Sequence, residues 1–126
     1  MATILIVDDS PTVRRTLGFT LKKHGYTALA ATHGGEALEM LAETAVAPTT
    51  AVDLIIADVS MPEIDGITLL KLLRANPRYH NLPVIMLTAS GQSQDRLHAE
   101  QEGANGFLTK PTSSHELLAT VEQFLG

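Results

Sequence analysis

Val52-Asp53-Leu54-Ile55-Ile56-Ala57-Asp58 is an apolar run of strand length that ends on a carboxylate. Leu54 to Ala57 follow one another without polar alternation, the pattern of a strand covered on both faces in the middle of a parallel sheet. Open parallel sheets bind ligands beyond the carboxyl ends of their strands, in the crevice between loops. Asp58 is thereby placed where chemistry occurs, unless it serves only to cap or solvate a loop.

The rest of the chain repeats this theme. Ile4-Leu5-Ile6-Val7 is a second aliphatic strand, followed at once by Asp8-Asp9. Ser10-Pro11 reads as an N-cap with proline at the first helical position, and Val13, Leu17, Thr20 and Leu21 give helical spacing up to Lys23. An alanine-rich strand over Thr27 to Ala31 precedes a helix over Gly34 to Glu43 that faces inward with Ala37, Leu38 and Leu41. Ala42 to Thr50 reads as a solvent loop, longer than the architecture needs. After the central strand, Met61 to Gly66 forms a loop, and a helix over Ile67 to Ala75 packs through Leu69, Leu70, Leu72 and Leu73 until Asn76-Pro77 stops it.

Pro83 to Leu87 is a further buried strand, ending on Thr88-Ala89-Ser90. Gln92 to Glu102 reads as a helix whose apolar face is little more than Leu97 and Ala99, so thin packing and mobility are expected. Phe107-Leu108-Thr109 is a short strand ending in Lys110-Pro111, and Ser113 with Glu116 is a capping-box pattern opening a last amphipathic helix. Five strands alternating with five helices imply right-handed crossovers and a parallel sheet covered on both faces.

A length of 126 residues suits one domain, and 44% hydrophobic against 18% charged residues is the composition of a chain that folds. A net charge of -5 argues against general nucleic-acid binding. The lack of cysteine excludes disulfides and thiolate metal sites, and no apolar run approaches membrane-spanning length, so a cytoplasmic protein is expected.

The strand ends would bring Asp8, Asp9, Asp58, Thr88 and Lys110 to one crevice. Like charges about 4 Å apart repel by about 4 kcal/mol at an effective dielectric near 20, so three carboxylates in one pocket require a cation. Oxygen ligands without nearby His or Cys favour a hard ion such as Mg2+. Such an ion, a lysine and a hydroxyl suit phosphoryl transfer, with Asp58 as nucleophile forming an acyl phosphate.

Val7-Asp8-Asp9, Asp58, Met61-Pro62, Asp65-Gly66, Thr88-Ala89, Gly103-Ala104 and Phe107-Leu108-Thr109-Lys110-Pro111 together resemble a receiver domain of two-component response regulators, in the single-domain form of the chemotaxis regulator. The resemblance implies an α/β, doubly wound (βα)5 flavodoxin-like three-layer sandwich with strand order 2-1-3-4-5, filling residues 1–126 as a single receiver domain. It implies Asp58 as phosphoacceptor, with Mg2+ held by Asp9, Asp58 and the Ser60 backbone carbonyl and by Asp8 through water. It further implies that Lys110 and Thr88 bind phosphoryl oxygens and that Lys110-Pro111 is a cis peptide. Switching would draw the Thr88 hydroxyl toward the phosphate while the aromatic residue at Phe107 turns inward. Phe107 replaces the commoner tyrosine and lacks the hydroxyl that can hold one rotamer, so it is either a weakly coupled switch or a plain core residue. Ser60 and Ser90, two positions beyond Asp58 and Thr88, tune phosphate loss in the family.

The expected function is a phosphorylation-dependent switch rather than an enzyme acting on a separate substrate. A sensor histidine kinase or histidine phosphotransfer protein would donate. With no output domain expected, a downstream effector would bind the face around the fourth helix and fifth strand. A monomer or weak dimer is expected, without nucleic-acid or membrane binding. A phosphohydrolase with an aspartyl nucleophile after the first strand is the alternative, but those enzymes separate their first two aspartates by one residue, whereas Asp8 and Asp9 are adjacent. The acidic loop after the first strand argues against a flavin phosphate site. Gly34-Gly35-Glu36 lacks the continuation of a diguanylate cyclase signature, and the five histidines show no metal-ligand spacing.

Overall fold

A computed structural model describes residues 2–44, 51–61, 64–89 and 93–125. Strands β1 (Thr3–Val7), β2 (Thr27–Ala31), β3 (Leu54–Asp58), β4 (Val84–Ala89) and β5 (Gly106–Lys110) alternate with helices α1 (Pro11–Lys23), α2 (Gly34–Thr44), α3 (Gly66–Ala75), α4 (Ser93–Gln101) and α5 (Ser114–Leu125). All neighbours pair in parallel, in the order β2-β1-β3-β4-β5. This is the doubly wound, flavodoxin-like arrangement expected from the strict alternation of elements.

The two-residue period of each strand divides the core into two layers. Leu5, Val7, Ile55, Ala57 and Met86 pack with α2, α3 and α4, whereas Ile4, Ile6, Leu54, Ile56, Ile85, Leu87 and Leu108 pack with α1 and α5. Burial on both faces explains why β1 and β3 read as unbroken apolar runs. Three helix starts are fixed by side-chain oxygens that satisfy free backbone donors. The oxygens of Ser10, Asp65 and Ser113 accept hydrogen bonds from the N–H groups of Val13, Thr68 and Glu116, at 3.3, 2.7 and 3.1 Å.

Some elements differ from the sequence expectation. Asp58, Thr88, Ala89 and Lys110 belong to their strands rather than following them, because the register carries Asp58 to Leu87, Thr88 to Thr109 and Ala89 to Lys110. Helix α2 runs on to Thr44, so the first residues assigned to the 42–50 loop are helical; residues 45–50, and with them any role of that loop, lie outside the described residues. Leu72 is 45% exposed instead of packed. It falls about 100° round the helix from the centre of the stripe formed by Leu69, Leu70 and Leu73. On α4, Ala99 is fully buried while Leu97 is 58% exposed, so the helix rests on a narrow apolar contact.

Candidate functional site

Alternation along the strands decides which polar side chains meet. Asp8, Asp58 and Lys110 have the same parity as Ile6, Ile56 and Leu108, so they continue the row that faces α1 and α5. Strand β4 lies between β3 and β5, and the four-carbon stem of Lys110 spans it, passing beside Leu87. Its ammonium donates to Asp58 Oδ2 at 2.9 Å and lies 2.9 Å from Asp8 Oδ2. One cation therefore bridges the residue just after β1 and the last residue of β3.

Asp8 is fully buried and Asp58 is 6% exposed, while Asp9 faces solvent. The Ser10 N–H donates to Asp8 Oδ1 at 2.8 Å, and the Ser60 N–H donates to Asp58 Oδ1 at 3.2 Å. Burial pushes the Asp58 pKa above its ordinary value, reinforced by the neighbouring Asp8 charge and opposed by the hydrogen bonds from Lys110 and Ser60. Burial acts against the charge on Lys110, but its two carboxylate partners outweigh that effect and raise its pKa. The site thus stabilises an ammonium and strains the ionisation of Asp58.

The carboxylates of Asp8, Asp9 and Asp58 offer oxygens all within 4.8 Å of one another. Against the single ammonium of Lys110 they leave two negative charges uncompensated. Asp8 Oδ2, although close to Lys110, has no hydrogen bond of acceptable geometry among the described residues. A buried oxygen in that condition, within an oxygen-only donor set, fits a hard divalent cation.

Thr88 and Phe107 have the opposite parity and share the face of Met86. Thr88 is buried at the carboxyl end of β4 and Phe107 is half-buried on β5, so neither belongs to the ion-paired trio. The Lys110-Pro111 peptide is cis. Pro62 and Ser90 lie outside the described residues. Among the histidines, His33 has a local structural role, its Nδ1 accepting the Glu36 N–H at 3.1 Å at the start of α2.

Two supporting residues carry no functional signal in the sequence. Arg14 donates to the Asp8 carbonyl at 2.7 Å, and its place six residues after Asp8 matches no motif. Gly66, noticeable only as part of Asp65-Gly66, has a physical reason to lack a side chain. A Cβ there would lie 2.1 Å from the Asp58 carbonyl oxygen and 2.7 Å from Met86 Cε. This close approach seats the start of α3 directly against the end of β3.

The geometry has counterparts in known proteins. The family model described as "Response regulator receiver domain" matches residues 4–122. The chain is 37% identical over 127 residues to the DNA-binding dual master transcriptional regulator RpaA of Synechocystis sp., covering 99% of this chain but 49% of RpaA, about half its length. It is 35% identical over 125 residues to Protein PilH of Pseudomonas aeruginosa, covering 99% of this chain and 98% of PilH. The crystal structure of Vibrio cholerae chemotaxis protein CheY4 superposes with a TM-score of 0.85 at 35% identity, covering 98% of each chain. The agreement extends across the whole β/α alternation rather than a single motif, and the chain therefore belongs to the response regulator receiver domains of two-component signalling.

Proposed function

We propose that this receiver domain is a phosphoacceptor switch in which Asp58 takes a phosphoryl group from a phosphohistidine on a sensor histidine kinase or histidine phosphotransfer protein. The observation that carries this reading is the buried Asp58 carboxylate, held at 2.9 Å by Lys110 beside the further acids Asp8 and Asp9. In the transfer, an Asp58 oxygen forms the new bond to phosphorus as the bond to the donor imidazole nitrogen breaks; the imidazole keeps the electron pair and is later reprotonated by solvent. The product is an acyl phosphate, which water hydrolyses. The domain promotes both its own phosphorylation and its own dephosphorylation without a separate substrate.

Asp9, Asp58 and the Ser60 backbone carbonyl would hold Mg2+, with Asp8 acting through water. A bound Mg2+ supplies charge neutralisation for the phosphoryl oxygens. Lys110 and the Thr88 hydroxyl bind those oxygens, and the proximity of Lys110 to Asp58 supports its part. Thr88 and Phe107 act as switch residues, and the signal leaves by protein contact at the face of α4 and β5. No helix among the described residues is long and apolar enough to cross a membrane, which is compatible with a cytoplasmic site of action.

Acetyl phosphate or beryllofluoride supplied with Mg2+ tests the reading. One adduct per wild-type chain and none on Asp58→Ala is expected; no adduct on the wild type, or equal labelling of the variant, overturns it.

A further inference from the structure

The guanidinium carbon of Arg96 on α4 lies 4.8 Å from the centroid of the Phe107 ring on β5. Among the described residues Arg96 makes no ion pair and no hydrogen bond, so the ring is what places its cation. This contact matters because α4 has little else to hold it: its Leu97 faces solvent and Ala99 is its one fully buried hydrophobic residue among those described. A cation over the face of a phenylalanine is attracted by the ring quadrupole, and for an exposed pair the attraction biases a local equilibrium by about two- to fivefold.

Phe107 is also the outer member of a packed row that begins at the candidate site. Gly66 abuts the Asp58 carbonyl, and Met86 Cε closes on the space over Gly66. Met86 is the register partner of Phe107 on the same face of the sheet, and Arg96 covers the ring. Spatial succession alone does not establish coupling, which requires an element with two arrangements. The thinly packed α4, held through Ala99 and Arg96, is the candidate for that element.

We propose that Arg96 is a positioning residue that latches the Phe107 ring from α4, taking over the restraint that a tyrosine hydroxyl would otherwise give, and so couples α4 to the site around Asp58. The latch stands on the contact itself; its response to site occupancy rests on the phosphoacceptor reading above.

A double-mutant cycle separates the two. Amide hydrogen exchange of α4 is measured in the wild type, Arg96→Met, Phe107→Leu and the double variant, with Arg96→Lys as the charge-retaining control. Arg96→Met keeps the aliphatic stem and is expected to accelerate α4 exchange by about two- to fivefold, with Arg96→Lys recovering part of the protection. On the Phe107→Leu background the same change has no further effect. Equal acceleration on both backgrounds, or none with Phe107 present, overturns the latch. Beryllofluoride with Mg2+ is then added, and α4 amide shifts are expected in the wild type and at most half as large in Arg96→Met. An adduct that leaves α4 unmoved, or moves it equally in both proteins, overturns the coupling. Failure of the wild type to form an adduct overturns the phosphoacceptor reading, while the exchange cycle still decides the latch.

Discussion

Lys110 Nζ and Asp58 Oδ2 stand 2.9 Å apart although a whole strand, β4, separates their own strands in the sheet. The ammonium pairs with the carboxylates of both Asp8 and Asp58 and would compete with an ion bound at the acid cluster. Lys110→Met is expected to bind Mg2+ more tightly than the wild type in calorimetric titration. Even with bulk-water screening, a unit charge about 4 Å away changes affinity by about 1 kcal/mol, so an increase of at least about fivefold is expected. Labelling by acetyl phosphate should fall in the same variant, since the group proposed to hold the incoming oxygens is gone. Tighter metal binding with unimpaired labelling would remove Lys110 from the transfer.

Gly66→Ala should lower stability and disturb the end of β3. The new Cβ would sit 2.1 Å from the Asp58 carbonyl oxygen, which as backbone yields only by moving the strand or α3. A loss of about 1–3 kcal/mol in urea unfolding is expected from overpacking of this kind. Gly18→Ala is the control, because its Cβ would meet Ile6 Cδ1 at an ordinary 3.9 Å inside α1. There alanine should stabilise by about 0.5–1 kcal/mol through helix propensity.

The raised pKa of Asp58, caused first by burial, carries a definite sign in stability. A carboxyl whose pKa is higher folded than unfolded binds more protons in the folded state, so its contribution is present at low pH and is lost as pH rises through the raised value. Asp58→Asn is expected to match the wild type below the usual carboxylate pKa and to exceed it in stability at neutral pH. Unfolding curves collected across that interval provide the check. Saturating Mg2+ should narrow the neutral-pH difference, because an ion bound to the folded wild type stabilises it by linkage.

Arg74 gathers parts of the chain that lie far apart in sequence. Its guanidinium donates to the carbonyls of Leu82 at 2.8 Å and Gly103 at 2.9 Å and to Asn105 Oδ1 at 2.7 Å. Asn105 Oδ1 also accepts the Val84 N–H at 2.9 Å, so the cluster pins the start of β4 to the turn before β5. Arg74→Ala is expected to cost about 2–4 kcal/mol, within the range for losing charged hydrogen bonds and leaving acceptors unpaired. Arg74→Lys should recover less than half of that, since a single ammonium cannot reproduce the planar fork. Thermal unfolding of the two variants measures both quantities.

What the sequence discloses is whatever leaves a local trace. The apolar runs at Ile4 to Val7 and Leu54 to Ala57 are buried on both faces, so composition alone marks them as inner parallel strands. The caps at Ser10 and Ser113 are equally visible, because capping is a short-range bond. Asp8, Asp58 and Lys110 are legible as strand-end residues, and their meeting follows from strand order plus parity. The contributions of Gly66 and Arg74 are not legible, since one depends on a through-space approach to Asp58 and the other on carbonyls as far as 29 residues away. Leu72 misleads for a related reason: four leucines in five residues overfill a single helical stripe, and only the fold decides which is left outside.

The division of side chains by parity has an outcome for how such a domain can diversify. The ion-paired Asp8, Asp58 and Lys110 occupy one side of the sheet, whereas Met86, Phe107 and Arg96 belong to the other, with the strands standing between them as a wall. A substitution on the exposed face of α4 therefore removes no charge from that trio, and the proposed contact surface can change without rewriting its ion pairs.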